Sequence, residues 1–368
     1  MSNHNELRQT SLYDNHVSLG ARMVPFSGWA MPVQYTGIID EVNAIRNASG
    51  LFDVSHMGRV DISGVKAAKF LDSLLSFDVM NLPIGRARYG VICDENGGII
   101  DDTILYRQGD DLFRLVPNAG NADVVLAWLL RWKPLMDEIQ INVVTSKFAM
   151  IAHQGPKAVD VLQAITEADL SKVRPFRIVD TRVGGIDTTL ARTGYTGEDG
   201  FELIVPVEHV TKVWVLLTEL GAVPCGLGAR DVLRLEAGLL LHGNEMNISV
   251  NPYEAGLERF VNPDREEYVA RKALCRIREL GSQRCLVGFT MVGRGIGRRG
   301  HPITDGLNVI GEVTSGSHSP TLDSNIGLGY VPSGFAKEGT RFFVDVRGRV
   351  VEAEVTRLPF YSRVRRGT

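Results

Sequence analysis

Two carboxylates stand side by side in the run Asn96-Gly97-Gly98-Ile99-Ile100-Asp101-Asp102. Residues 89–94 and 99–107 read as strands around Glu95-Asn96-Gly97-Gly98, a hairpin signal because Asn-Gly accepts the positive φ of a tight turn. Side chains alternate along a strand. Ile100, Asp102, Ile104 and Tyr106 therefore share one face, and Ile99, Asp101, Thr103 and Leu105 the other. A two-residue turn at Asn96-Gly97 sets Tyr89 opposite Ile104 and so beside Asp102 and Tyr106. A one-residue slip moves Tyr89 to the other face. An acid between two aromatics fits a pocket for a flat heteroaromatic ligand, with stacking surfaces and one hydrogen-bonding carboxylate. It equally fits a solvated Asp beside core tyrosines.

A second group lies in the run from Arg192 through Gly194, Tyr195, Gly197 and Gly200 to Glu202. Closely spaced glycines imply tight turning or close backbone approach. Glu202 alternates with Phe201 and Leu203, so it faces away from whichever side buries them. A carboxylate there can accept two donors from a planar amidine-like edge, or it is a surface Glu on a half-exposed strand. A third group lies in Gly226-Leu227-Gly228-Ala229-Arg230-Asp231-Val232-Leu233-Arg234. Arg230 and Arg234 share a helix face. A cation near a helix start gains nothing from the macrodipole, which favours anions there, so Arg230 needs a specific partner. That partner is either a ligand or a structural carboxylate.

Other chemistries find little support. The eight His are dispersed with no H-x-x-x-H or H-E-x-x-H, so no metal site is expected, and His56, His153, His242 and His318 read as structural or polar-lining. Gly293-Arg294-Gly295-Ile296-Gly297 precedes Arg298-Arg299-Gly300 rather than a helix, and reads as a basic Gly-rich loop. Cys93, Cys225, Cys275 and Cys285 form no C-x-x-C; buried reduced thiols and a cytoplasmic location are expected.

The elements that must position these groups follow from periodicity. Residues 41–47, 65–75, 121–132, 156–165, 207–220 and 229–239 read as helices, with Asn121 as an N-cap. Residues 112–116, 139–144, 148–153, 176–183, 187–192 and 201–205 read as strands. After a charged helical stretch at 271–284, short strands with Gly turns suggest a small all-β barrel or sandwich. The chain has 368 residues, enough for two or three domains, with 39 Gly. Its 40 Lys+Arg against 43 Asp+Glu leave a net charge of −3, which argues against a dedicated nucleic-acid binder. No apolar run approaches a membrane span or a secretory signal.

Together these segments resemble one family, the aminomethyltransferase (T-protein) of the glycine cleavage system. The resemblance runs along almost the whole chain. It is carried by Leu12-Tyr13-Asp14, Phe26-Ser27-Gly28-Trp29-Ala30-Met31-Pro32, Leu51-Phe52-Asp53-Val54-Ser55-His56-Met57-Gly58, the Asp101-Asp102 run, the segments ending at Leu203 and Gly238, and Thr314-Ser315-Gly316 with Ser319-Pro320-Thr321-Leu322. The chain departs from the family at Met246-Asn247-Ile248-Ser249, Glu258-Arg259-Phe260 and Ala270-Arg271-Lys272-Ala273-Leu274.

The resemblance implies an α+β protein of three-domain cloverleaf-like architecture, with a C-terminal small β-barrel and a central folate funnel. The expected division is 1–50 plus 140–270, 51–139 with the Asp-Asp hairpin, and 280–368. The implied reaction takes the aminomethyl group of lipoylated H-protein to tetrahydrofolate, giving 5,10-methylenetetrahydrofolate and ammonia. By the same resemblance Asp102 is the catalytic acid, and Glu202 and Arg230 contact folate. Tyr89, Tyr106, Asn118 and Tyr195 match pocket positions. Two other functions remain open. One is a folate-dependent demethylase of a small methylated compound. The other is a folate-binding iron–sulfur assembly factor, whose K-G-C-Y-x-G-Q-E motif this chain lacks. The basic end, Tyr361-Ser362-Arg363-Val364-Arg365-Arg366, is a candidate for steering an acidic carrier protein.

Overall fold

Alternating and helical apolar patterns resolve into three sheets and a barrel in the computed structural model, which describes residues 7–133 and 138–363. Near the N-terminus a small sheet has Trp29–Gln34 between Arg8–Gln9 and Arg22–Phe26. A six-stranded sheet follows the order Ile178–Val183, Ile186–Ala191, Gly200–Pro206, Phe148–Gln154, Gly50–Asp53, Val223–Pro224. Its pairs are antiparallel except the last. A five-stranded antiparallel sheet runs Arg86–Cys93, Ile99–Arg107, Leu112–Pro117, Val60–Ser63, Gln140–Val143. Two strands thus fall across the division expected from sequence: Gly50–Asp53 pairs in the six-stranded sheet and Gln140–Val143 in the hairpin sheet.

The C-terminal strands close a six-stranded barrel in which Arg284–Met291 pairs with both Ser324–Pro332 and Arg349–Thr356. The architecture is mixed α+β and multidomain. Between barrel strands the 293–300 segment is loop, as its glycines imply.

Separate cores hold these units. One packs the helices Ala67–Leu74 and Ala122–Trp132 on the hairpin sheet, through Phe70, Leu71, Leu74, Val125 and Leu129. Another packs Val210–Glu219 on the six-stranded sheet through Phe201, Leu203, Val213 and Trp214. A third joins the two large sheets: Phe52, Ala152 and Ile204 from one meet Ala87, Tyr106 and Val116 from the other, closed by Ala229, Val232 and Leu233 of the helix Leu227–Glu236.

That helix is the common strut. Glu41 receives its first N–H, from Gly226, at 2.8 Å and also the N–H groups of Tyr35 and Thr36. At its other end Glu236 ties it to the barrel, accepting from Ser319 at 2.5 Å and Thr321 at 2.8 Å, and pairs with Arg46 at 2.6 Å.

Cys93 and Cys225 are buried free thiols, whereas Cys275 and Cys285 are only half-buried, a departure from the expected fully buried set. No helix among the described residues is long and apolar enough to cross a membrane. Arg363 lies 3.5 Å from Asp199, and Val364, Arg365 and Arg366 of the basic end lie outside the described residues.

Candidate functional site

The hairpin reaches its expected register by an unexpected route. Tyr89 pairs with Ile104 and Val91 with Asp102, as a two-residue turn would give. Yet Cys93 pairs with Ile99 and Ile92 with Asp101, so the loop spans residues 94–98 and Ile100 is an extra residue in its strand. Asp94 closes this longer loop by accepting the N–H groups of Asn96 at 2.9 Å and Gly98 at 2.8 Å. The bulge cancels the slip that the longer loop introduces, and Tyr89 stays on the Asp102 side.

Strict alternation would send Asp101 away from Asp102, and the structure corrects this. Asn118 Nδ2 donates to Asp101 Oδ1 at 2.9 Å and to Asp102 Oδ1 at 2.8 Å, and its backbone N–H donates to Asp101 Oδ2 at 3.0 Å. A bulge bends its strand and re-aims neighbouring side chains. Asn121 holds that bend, donating from Nδ2 to the Ile100 carbonyl at 2.5 Å. It occupies the expected cap position but makes no side-chain cap bond.

Tyr89 donates its hydroxyl to Asp102 Oδ2 at 3.1 Å, and Phe260 packs edge-on to the Tyr89 ring. Burial pushes both carboxyls above the usual carboxylate range. For Asp102 the neighbouring Asp101 pushes further, while Asn118 pulls back. Adjacent buried acids of this kind titrate as a pair that favours holding one proton between them.

Glu202 sits on the neighbouring sheet. Phe201 and Leu203 face the Val210–Glu219 helix, so Glu202 faces the junction with the hairpin sheet. It is 6% exposed, which removes the reading as a surface Glu. Thr193 donates its hydroxyl to Oε2. Burial raises the Glu202 carboxyl; Thr193, then Arg230, oppose this. The glycines before it serve approach as well as turning: a Cβ on Gly194 would stand 1.8 Å from Gln154 Oε1, and Gly197 has φ 81°. Tyr106 is fully buried beside Glu202, and its hydroxyl has no hydrogen-bond partner among the described residues.

Arg230 lies over the Tyr195 ring at 4.8 Å and near Phe52 at 5.9 Å. It forms no ion pair within 4.0 Å among the described residues, and its Nη1 is buried without a partner. Burial lowers its pKa, and Glu202 opposes this. The specific partner expected for Arg230 is therefore a nearby carboxylate rather than a contacting one, and its donors remain open for a ligand. Arg234, on the same helix face, is by contrast committed to Glu245 at 2.9 Å and Asp231 at 2.8 Å.

Tyr195 connects the two halves. Its hydroxyl donates to the Leu240 carbonyl at 2.5 Å, and its electrostatic surroundings include Arg234, Asp102 and Arg230. Asp102, Tyr89, Asn118 and Tyr195 thus form one end of the site, and Glu202, Tyr106 and Arg230 the other. Two surface clefts, one lined by Phe148, Thr181 and Pro206 and one by Lys172, Arg174 and Arg177, contain none of these residues.

Sequence reasoning did not place Phe52, Asn121 or His242 here. His242 Nδ1 stands 3.9 Å from Asp101 Oδ1. No local spacing signals this, because the loop that carries His242 meets the hairpin only in three dimensions. No group of three or more metal-ligating side chains occurs among the described residues.

Two large sheets sharing a strut helix and a barrel docked on it define a multidomain α+β protein, with a buried acid pair and a buried arginine beside Glu202. Residues 12–265 match the GCVT N-terminal domain and residues 284–362 the glycine cleavage T-protein C-terminal barrel domain. An aminomethyltransferase of Symbiobacterium thermophilum is 44% identical over 365 residues, covering 96% of this chain and 97% of its own length. One of Rubrobacter xylanophilus is 47% identical over 360 residues, covering 98% and 95%. The crystal structure of glycine cleavage system aminomethyltransferase T from Bartonella henselae superposes with a TM-score of 0.91 at 36% identity, covering 97% of this chain and 98% of that one. The chain belongs to the glycine cleavage T-protein family, and it is a tetrahydrofolate-dependent aminomethyltransferase.

Proposed function

We propose that this chain takes its aminomethyl group from lipoylated H-protein and that Asp102 is its catalytic acid–base. The observation that carries the reading is a half-buried Asp102, bonded by Tyr89 and Asn118, that shares the surroundings of Tyr195 with Arg230, whose Nη1 has no partner and whose charge is opposed by Glu202. The orphaned Arg230 Nη1 and Tyr106 hydroxyl fit a polar aromatic ligand such as a folate. Glu202 accepts the N–H donors of the amino-pyrimidinone edge through the oxygen that Thr193 leaves free. Arg230 and Tyr195 line the remainder, and Tyr89 and Asn118 hold Asp102 towards the folate amine.

The donor carbon is at the formaldehyde oxidation level, and loss of ammonia leaves an electrophile. Tetrahydrofolate supplies the nucleophilic amines. Asp102 accepts a proton from the attacking amine, and holding both partners in one orientation beside it adds to the acceleration. In balance, the carbon–nitrogen bond to ammonia and the carbon–sulfur bond break, and two folate carbon–nitrogen bonds form. One folate proton ends on sulfur and one leaves with ammonia.

Residues 1–50 with 140–270, 51–139 and 280–368 form the three units around the folate, exchanging a strand at each of the first two boundaries. A cytoplasmic location is part of the same reading, with no nucleic acid or membrane as partner. The test is turnover with aminomethyl-loaded H-protein, reading ammonia and 5,10-methylenetetrahydrofolate, against a small N-methylated amine, reading 5-methyltetrahydrofolate. Product from the small amine alone would make the chain a demethylase, and folate binding with no product from either would make it non-catalytic.

A further inference from the structure

Three glycines in nine residues leave the run from Arg192 to Gly200 little stiffness of its own. Yet this loop carries Thr193, which donates to Glu202, and Tyr195, whose ring lies against Arg230. Its shape is set by side-chain bonds instead. Arg192 and Asp199 close its two ends at 2.5 Å. Gln154 grips two of its residues, accepting from the Thr196 hydroxyl at 3.0 Å and donating to the Thr193 carbonyl at 3.1 Å. The remaining hold comes from Arg46, a residue with no place in the scheme above.

Arg46 stands in the last turn of the helix Ile38–Asn47, where the macrodipole favours a cation. Its side chain is only 6% exposed. Nη1 donates to the Thr196 carbonyl at 2.8 Å and to Glu198 Oε1 at 2.8 Å. Nη2 and Nε both donate to Glu236 Oε2, at 2.6 Å and 3.1 Å. Cζ lies 3.9 Å over the centre of the Tyr361 ring, in the C-terminal segment. One planar group thus reaches the loop with one arm and the strut helix with the other. Five donors in a fixed fork allow this, and an ammonium cannot reproduce it.

We propose that Arg46 is a positioning residue for folate binding: it fixes the loop at Thr196 and Glu198, so that Tyr195 stands in place beside Arg230 before the ligand arrives. The inference rests on the placement of folate between Asp102 and Glu202. The carbonyl that Arg46 holds belongs to the residue directly after Tyr195, so a shift at Thr196 is passed to the ring. A loop already ordered in its binding shape spares the ligand the entropy of ordering it, and affinity rises accordingly. The role concerns binding and not the proton steps, because Asp102 is held by Tyr89 and Asn118 through other bonds.

Calorimetry with tetrahydrofolate alone tests this, with melting temperature measured beside it. E198Q removes the carboxylate arm on the loop and leaves Arg46 paired with Glu236. R46K keeps the charge but offers one point donor where two arms are needed. Both should weaken folate binding roughly tenfold while folded, the loss of a charge-assisted bond felt at one remove. In turnover with aminomethyl-loaded H-protein, KM for tetrahydrofolate should rise by a similar factor with kcat within about threefold. T321V is the control. Thr321 donates to Glu236 Oε2 at 2.8 Å from the barrel side and bonds no residue of the loop among the described residues. It should lower the melting temperature and leave folate affinity within about twofold. Unchanged affinity in either folded variant would overturn the role, and so would affinities that follow melting temperature across all three, T321V included. E202Q separates the two readings. Weakened binding there with E198Q unchanged rejects only the positioning role, whereas full affinity in E202Q rejects the folate placement beneath it.

Discussion

Asp101 and Asp102, neighbours on one strand, are bridged by a single amide: Asn118 Nδ2 reaches the first at 2.9 Å and the second at 2.8 Å. Their roles still separate. Asp101 is fully buried and also accepts the Asn118 backbone N–H, whereas Asp102 is half-buried and meets Tyr89.

D102N keeps shape and most hydrogen bonding but cannot take a proton. It should fold and bind tetrahydrofolate within about tenfold of wild type while turnover falls by ~10²–10⁴. D101N should instead lower the melting temperature, because an amide replaces a carboxylate that accepts two N–H groups; about 1–3 kcal/mol of stability is at stake. Comparing both variants for melting, folate affinity and ammonia release separates the roles. Near-normal turnover in D102N would move the chemistry to another residue.

The pH dependence of the pair has a definite sign. Burial first, then mutual repulsion at Asp102, raises these carboxyls above their unfolded values. The folded state therefore binds more protons, and this contribution is present at low pH and lost as pH rises from about 4 towards neutrality. Turnover should rise over the upper part of the same window, as the pair becomes able to accept a proton. A kcat profile without that acid limb would contradict the assignment.

His153 carries the opposite sign. It is fully buried, neither ring nitrogen has a partner, and burial lowers its pKa to about 3. Its neutral form favours the fold above the unfolded value of about 6.5, and that stability is lost as pH falls from there towards 3, by at most about 1.4 kcal/mol per pH unit. H153L should therefore unfold with a smaller loss between pH 7 and pH 5 than wild type. Equal acid losses would show that the imidazole takes up its proton as readily in the folded state as in the unfolded one.

E202Q keeps size and loses charge, and it leaves Arg230 without its opposing carboxylate. Hydrogen bonds to charged groups are worth about 1.5–3 kcal/mol, so folate affinity should fall roughly tenfold to a hundredfold in calorimetry. Full affinity in a folded variant would reject the pterin-edge role.

E236Q tests the strut. Glu236 is fully buried and joins Arg46 to Ser319 and Thr321 of the barrel side. Removing one partner of a buried ion pair costs about 3–5 kcal/mol. Denaturant unfolding should show that loss, with the barrel separating before the sheets. An unchanged midpoint would mean that the apolar contacts alone hold the barrel.

Local chemistry in the sequence determined the two strands of the hairpin and where it turns, though not the length of the loop, together with the burial of Phe201 and Leu203 opposite Glu202, the shared face of Arg230 and Arg234, and the barrel's short Gly-punctuated strands. These depend on spacing within a few residues, which alternation and helical period express directly. What only the tertiary structure decided is which acids meet which partners. The bulge at Ile100, stabilised by Asn121 from the far side of a third strand, turned Asp101 towards the Asn118 that also holds Asp102. The sheet membership of Gly50–Asp53 and Gln140–Val143 rests on pairings with strands remote in sequence. The nearness of His242 to Asp101, residues 141 apart by number, depends on Arg234 and Glu245 fixing a loop against another unit. Such contacts are set by how whole faces pack, and no short window of residues contains that information.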